Sequence, residues 1–133
     1  MKRIRYLFPA VVLLLVACAD PILGPWEYDR GGTGLSTLTV HEGGDAGGII
    51  YDELDGEPFS WIFDANWTST GAKSYEFEMQ HDGSLSGSDP ITDTYTPSDF
   101  EFTMECQLER NDEELDCVGD GLFEEIALDW DRS

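Results

Sequence analysis

Apolar and polar residues alternate one for one along three long stretches of the chain. Phe59, Trp61, Phe63, Ala65 and Trp67 are interleaved with Ser60, Ile62, Asp64 and Asn66. Tyr75, Phe77 and Met79 are interleaved with Ser74, Glu76, Glu78 and Gln80. Phe100, Phe102, Met104, Cys106 and Leu108 are interleaved with Asp99, Glu101, Thr103, Glu105 and Gln107. A period of two predicts strands with one dry and one wet face, as in antiparallel sheets. No stretch sustains a helical period. Segments 26–30, 35–41, 48–54, 114–118 and 122–130 read as further strands. Turn signals separate them at Gly31-Gly32, Gly43-Gly44-Asp45, Asp55-Gly56, Thr70-Gly71 and Asp82-Gly83.

About eight strands joined by short connections predict an all-β antiparallel meander closed into a small up-and-down barrel. A two-sheet β-sandwich is the structural alternative. The stretch 83–98, rich in Ser, Thr, Pro and Gly, reads as the longest loop, with a brief strand around 91–95.

The N-terminus follows another rule. Lys2, Arg3 and Arg5 precede an apolar run from Tyr6 to Ala17 that only Pro9 interrupts. The run is shorter than the roughly 20 residues needed to span a bilayer and fits a secretory leader. It ends in Leu15-Val16-Ala17-Cys18, which resembles the lipobox of bacterial lipoproteins. That resemblance implies cleavage before Cys18 and acylation of Cys18, with two or three acyl chains giving a stable anchor. The chain thus divides into a signal peptide (1–17), a lipidated tether (18–22) and an acidic barrel domain (23–133). The implied place is the bacterial cell envelope, with the outer membrane preferred over the inner. The five tether residues offer roughly 18 Å of reach at about 3.5 Å per residue.

Charge narrows the choice of partners. Removing the leader leaves Arg30, Lys73, Arg110 and Arg132 against 28 carboxylates, a formal charge of −24. Such a surface opposes nucleic acid and favours solubility or a cationic protein partner. Next to lipid phosphates it predicts a domain that stands off the membrane at low salt and settles when divalent cations are added. Trp26, Trp61, Trp67, Trp130 and ten Phe and Tyr residues beyond the leader supply a core, so the acidity decorates a folded domain.

Export places Cys106 and Cys117 in an oxidising compartment, where pairing is expected. A hairpin centred on Asn111-Asp112 sets Leu108 opposite Leu115 and Cys106 opposite Cys117. A two-residue loop makes 106/117 a hydrogen-bonded pair. A four-residue loop, 110–113, makes it the closer non-hydrogen-bonded pair, which suits a disulfide better.

Gly24-Pro25-Trp26 resembles the G-x-W that opens the first strand of lipocalins and their bacterial lipocalin-like relatives. In that family the Trp closes the barrel base and an Arg near the end of the last strand packs across it. The resemblance implies that Arg132, in Trp130-Asp131-Arg132, stacks on Trp26, and that the interior is suited to a small apolar ligand. Thr92-Asp93-Thr94-Tyr95 echoes the family's T-D-x-x-Y element at a different spacing. The large inward positions, among them Trp61, Phe63 and Phe102, argue instead for an interior filled by side chains.

No residue set stands out as catalytic. His41 and His81 have no partner at zinc-ligand spacing, and no G-x-S-x-G elbow is present. Asp82, Ser84, Ser86, Gly87 and Asp93 match positions 1, 3, 5, 6 and 12 of a calcium-loop template, although Pro90 interrupts it. They form a minor candidate for Ca²⁺, and no cofactor is called for. The sequence therefore reads as a lipid-anchored envelope protein with a non-enzymatic binding or interaction role. A carrier of a small apolar ligand and an envelope hydrolase are the alternatives.

Overall fold

A computed structural model describes residues 20–29 and 34–133; the leader, Cys18 and Arg30 lie outside the described residues. Eight strands follow in chain order: β1 (Gly24–Tyr28), β2 (Ser36–Val40), β3 (Asp45–Leu54), β4 (Glu57–Gly71), β5 (Ser74–Gly87), β6 (Phe102–Glu109), β7 (Glu114–Gly119) and β8 (Leu128–Arg132). Each pairs antiparallel with the next, and β8 pairs back with β1, so the sheet is a closed barrel rather than a sandwich. The closing register sets Trp26 against Arg132 and Glu27 against Asp131. The result is the small up-and-down barrel that the alternation predicts, of the lipocalin-like kind.

The period of two translates into burial. Phe59, Trp61, Phe63 and Ala65 on β4 are buried, as are Tyr75, Phe77 and Met79 on β5 and Phe102, Met104, Cys106 and Leu108 on β6. Trp61 sits amid the rings of Phe63 (5.7 Å), Phe100 (6.1 Å), Phe102 (6.0 Å) and Phe123 (5.9 Å). These aromatic side chains occupy the barrel axis. Two glycines make room for them. A Cβ on Gly48 would collide with the Thr37 carbonyl and press on the Phe63 ring at 3.1 Å, and one on Gly119 would meet the Phe102 ring at 2.8 Å.

The stretch read as the longest loop is structured differently. β5 continues to Gly87, and a six-residue helix α1 (Asp89–Thr94) and a 3-10 turn η1 (Pro97–Phe100) replace the strand expected around 91–95. The expected strand 122–130 likewise begins as a 3-10 turn, η2 (Gly121–Phe123), and becomes β8 only at Leu128. These pieces are six residues long or less, too short to show a helical period. They lie at one end of the barrel, the lid pole. The turns 41–44, 72–73 and 110–113 and the segment entering β1 lie at the other, the base pole.

Candidate functional site

The base is closed by a polar assembly. The segment Asp20–Leu23 crosses it before β1 begins, with Ile22 fully buried. The Trp26 indole Nε1 donates to the Ile22 carbonyl at 2.9 Å. The guanidinium carbon of Arg132 lies 3.9 Å from the centroid of the Trp26 ring. Its Nη1 donates to the Leu23 carbonyl at 2.8 Å, and its Nη2 to the carbonyls of Pro21 and of Asp112, the latter at 3.2 Å. The Tyr75 hydroxyl donates to the Asp20 carboxylate. Burial, then that hydrogen bond and the nearby negative charges of Asp20 and Asp112, push the Tyr75 hydroxyl well above the usual phenol range. Of the residues 18–22 read as tether, Asp20 to Ile22 are thus held against the barrel.

The disulfide joins Cys106 and Cys117, whose Cα atoms are 4.1 Å apart. Glu109 faces Glu114, so the loop is the four-residue one, 110–113. Three of its residues, Arg110, Asn111 and Asp112, adopt left-handed backbone angles (φ 52°, 57° and 68°). Asn and Asp tolerate that region better than most residues. The turn is tied to its neighbour by an ion pair of Lys73 with Asp112 at 2.6 Å.

The lid is closed by apolar side chains from three separate turns. Ile91 of α1, Phe100 of η1 and Phe123 of η2 are buried. Phe123 stacks on Phe102 at 3.9 Å and meets Phe59 and Phe100 edge-on. The Trp61 indole donates to the Pro97 carbonyl at 2.9 Å, which pins η1 to the barrel wall. Gly119, which gives way to the Phe102 ring, is the one sequence signal for this plug, and it gains meaning only beside the register.

The calcium template does not assemble. Asp82, Ser84 and Ser86 lie on β5 and Asp93 lies on α1, so the twelve residues form no loop. Among the described residues no group of three or more His, Cys, Asp and Glu is placed to hold a metal ion. The two histidines sit far apart in the topology. His41 is exposed in the base turn, and His81 is exposed on β5 with Nε2 3.7 Å from Glu101.

The barrel exterior is divided. From β5 through β8 to β1, carboxylates stand directly opposite one another: Glu76 and Glu105, Glu109 and Glu114, Asp116 and Asp129, Glu114 and Asp131, and Glu27 and Asp131. Like charges in this arrangement destabilise a sheet. Among them Glu114 is met by Arg110 at 3.3 Å. An open groove of about 680 Å³ runs along this face, lined by Glu76, Glu105, Asp116 and Asp129 together with Gln107 and Val118. Val118, which is 69% exposed, is the apolar residue among them. On β2 to β5 the outward rows run through Thr37, Ile49 and Ile62 and through Tyr51, Ser60 and Ser86, and the acids there face neutral residues instead: Asp64 lies opposite Gly47 and Gln80, and Glu78 opposite Asn66. The alternation pattern predicts which residues face outward, but the opposition of carboxylates needs the strand register.

Comparisons of the chain with known protein families, with curated proteins and with solved structures find no match.

Proposed function

We propose that this protein is a lipid-anchored component of the bacterial envelope that acts by binding, without catalysis, through its outer surface. The lipobox-like Leu15–Cys18 supports the anchor. One observation carries the binding reading: carboxylates opposed across strands line an external groove while aromatic rings occupy the interior. Sequences that break a local stability rule tend to do so where function requires it. A cationic segment of a partner protein would neutralise the opposed carboxylates and cover Val118. The filled interior favours this reading over carriage of a small apolar ligand.

Two measurements test it. Mass spectrometry of the amino-terminal peptide of the native protein is expected to show acyl chains on Cys18; an unmodified terminus removes the anchor. Asp116→Asn and Glu76→Gln are expected to weaken, together, the salt-sensitive binding of a lysine-rich peptide. The Asp116→Asn barrel should itself be about 0.2–1 kcal/mol more stable at low salt, since it relieves one opposed pair. Undiminished peptide binding by the double variant contradicts the assignment of the groove.

A further inference from the structure

The outer wall of β3 to β5 carries a second, smaller pocket of about 250 Å³ near the lid pole. Unlike the groove, it has no carboxylate in its lining. Three strands build it. Tyr51 on β3 stands opposite Ser60 on β4, and Ser60 stands opposite Ser86 on β5. One large side chain followed by two small ones across the strands leaves a hollow beside the large one. Pro58 and Ser88 form the far rim, where the Ser88 amide donates to the Pro58 carbonyl at 3.1 Å.

Tyr51 is held in place as one wall. A Cβ on Gly34 would lie 2.8, 2.8 and 2.9 Å from the ring atoms Cδ1, Cγ and Cδ2. A point nearly equidistant from those three atoms sits over the ring centre. The Gly34 backbone therefore lies flat on one face of the ring, and a larger residue there would push the ring away. Gly34 leads into β2, whereas Ser60 and Ser86 lie on the other flank of β3. The second face of the ring thus turns toward the hollow. Ser36 fixes the backbone beneath it: its Oγ accepts from the Tyr51 amide at 2.9 Å and donates to the Tyr51 carbonyl at 3.2 Å. The Ser88 hydroxyl donates to Glu57 at 2.8 Å. The hydroxyls of Tyr51, Ser60 and Ser86 have no hydrogen-bond partner among the described residues.

We propose that this hollow is a binding site for a neutral sugar ring, a pyranose that lies flat on Tyr51 with its hydroxyls toward Ser60 and Ser86. The volume is below the roughly 300–1,000 Å³ of sites for drug-sized ligands, so it takes a single ring. Chemistry narrows the class further. The face of an aromatic ring is electron-rich and attracts C–H groups. A wholly apolar ligand would bury the free serine hydroxyls without partners. An anion is opposed by the acidity of the chain. A cation is met better by Glu76, Glu105, Asp116 and Asp129 in the groove. A pyranose with equatorial hydroxyls satisfies both parts of the hollow, with axial hydrogens on its faces and hydroxyls around its edge. The hollow opens to solvent, so the bound ring can be one unit of a longer glycan. The site shares no residue with the acidic groove and does not depend on the anchor.

Saturation-transfer difference NMR on the full native chain, with cellobiose as the probe, tests the proposal. Saturation of the protein's aromatic protons is expected to pass most strongly to the axial protons on one face of a glucose ring. Tyr51→Ala is expected to weaken binding about tenfold, and Tyr51→Phe, which keeps the ring, by less than about threefold. Ser60→Ala combined with Ser86→Ala is expected to weaken it about fivefold or more. Ser86→Phe fills the hollow from the opposite wall without touching the fold of Tyr51 and is expected to abolish the transfer. Circular dichroism of each variant checks that the barrel is intact. No transfer to cellobiose overturns the site, as does transfer that Tyr51→Ala and Ser86→Phe leave undiminished. Cyclohexanol, a ring with a single hydroxyl, is expected to show little transfer. Transfer to it equal to that of cellobiose, and unaffected by the double serine substitution, overturns the sugar assignment in favour of an apolar ligand.

Discussion

The two ends of the barrel are closed by different physics. At the base, a short chain segment is held by an arginine that donates to three carbonyls and stacks on an indole. At the lid, Ile91, Phe100 and Phe123 arrive on three separate turns and fill space against Trp61 and Phe102. The base depends on direction: every donor has a particular acceptor, and a side chain of equal size without the donors fails. The lid depends on volume: what matters is that rings reach van der Waals contact, whichever piece of chain supplies them. A polar closure can also be positioned precisely relative to an anchor, and an apolar one keeps water out of the core.

The comparison can be broken from either end. Phe123→Ala removes the ring stacked on Phe102 and opens a cavity in the lid, so it should cost about 3–5 kcal/mol in equilibrium denaturation. A smaller loss would mean that the plug is dispensable. Next, Cys106→Ser with Cys117→Ser releases the hairpin whose turn supplies the Asp112 carbonyl to Arg132. The bridge closes a short loop, and its loss should cost about 3 kcal/mol by the same measurement. Arg132→Met keeps most of the length and the apolar stem but none of the donors. It should cost about 2 kcal/mol, from lost hydrogen bonds and the lost cation–π contact. Arg132→Lys should recover little of this, since an ammonium cannot span the Pro21, Leu23 and Asp112 carbonyls. The corresponding size change at the lid, Ile91→Val, should cost only about 1 kcal/mol, and together the two substitutions separate direction from volume.

The smallest effect concerns pH. The Tyr75 hydroxyl, held to Asp20, stays protonated in the folded barrel at pH values where a free phenol ionises. Its folded-state pKa is raised, so its contribution is fully present below about pH 10, the ordinary phenol value. It is lost as the pH climbs beyond that toward the folded-state value. Tyr75→Phe should cost about 1 kcal/mol at neutral pH and flatten the decline in stability above pH 10. An unchanged alkaline limb would place the titrating group elsewhere.

The base was more legible in the sequence than the lid, for a physical reason. Trp26 within Gly24-Pro25-Trp26 and Arg132 at the end of the last strand are single residues with distinctive chemistry, and the structure brings them within stacking distance. The alternation of β4 to β6 marks the inward residues directly, and of the two turn lengths that set Cys106 opposite Cys117 the four-residue one suits a disulfide better and is the one found. The lid carries no comparable signal. A helix of six residues and turns of three or four are too short for a 3.6-residue period to emerge. Phe100 reads as the first inward residue of a strand because it keeps β6's parity, although it belongs to η1. Ile22 was hidden similarly: one aliphatic residue before a strand has no pattern, so the segment resembled free tether. The opposed carboxylates could be counted in advance but not paired, since pairing depends on register.

The claim beneath all of this is that the barrel interior belongs to the protein's own rings, which leaves the outer surface and the two poles as the places where anything else can bind. Titration with N-phenyl-1-naphthylamine under tryptophan excitation addresses it most directly. The filled interior predicts no saturable binding and no energy transfer from the buried indoles. Saturable one-to-one binding with quenching of Trp61, lost in a Trp61→Phe variant, would contradict it.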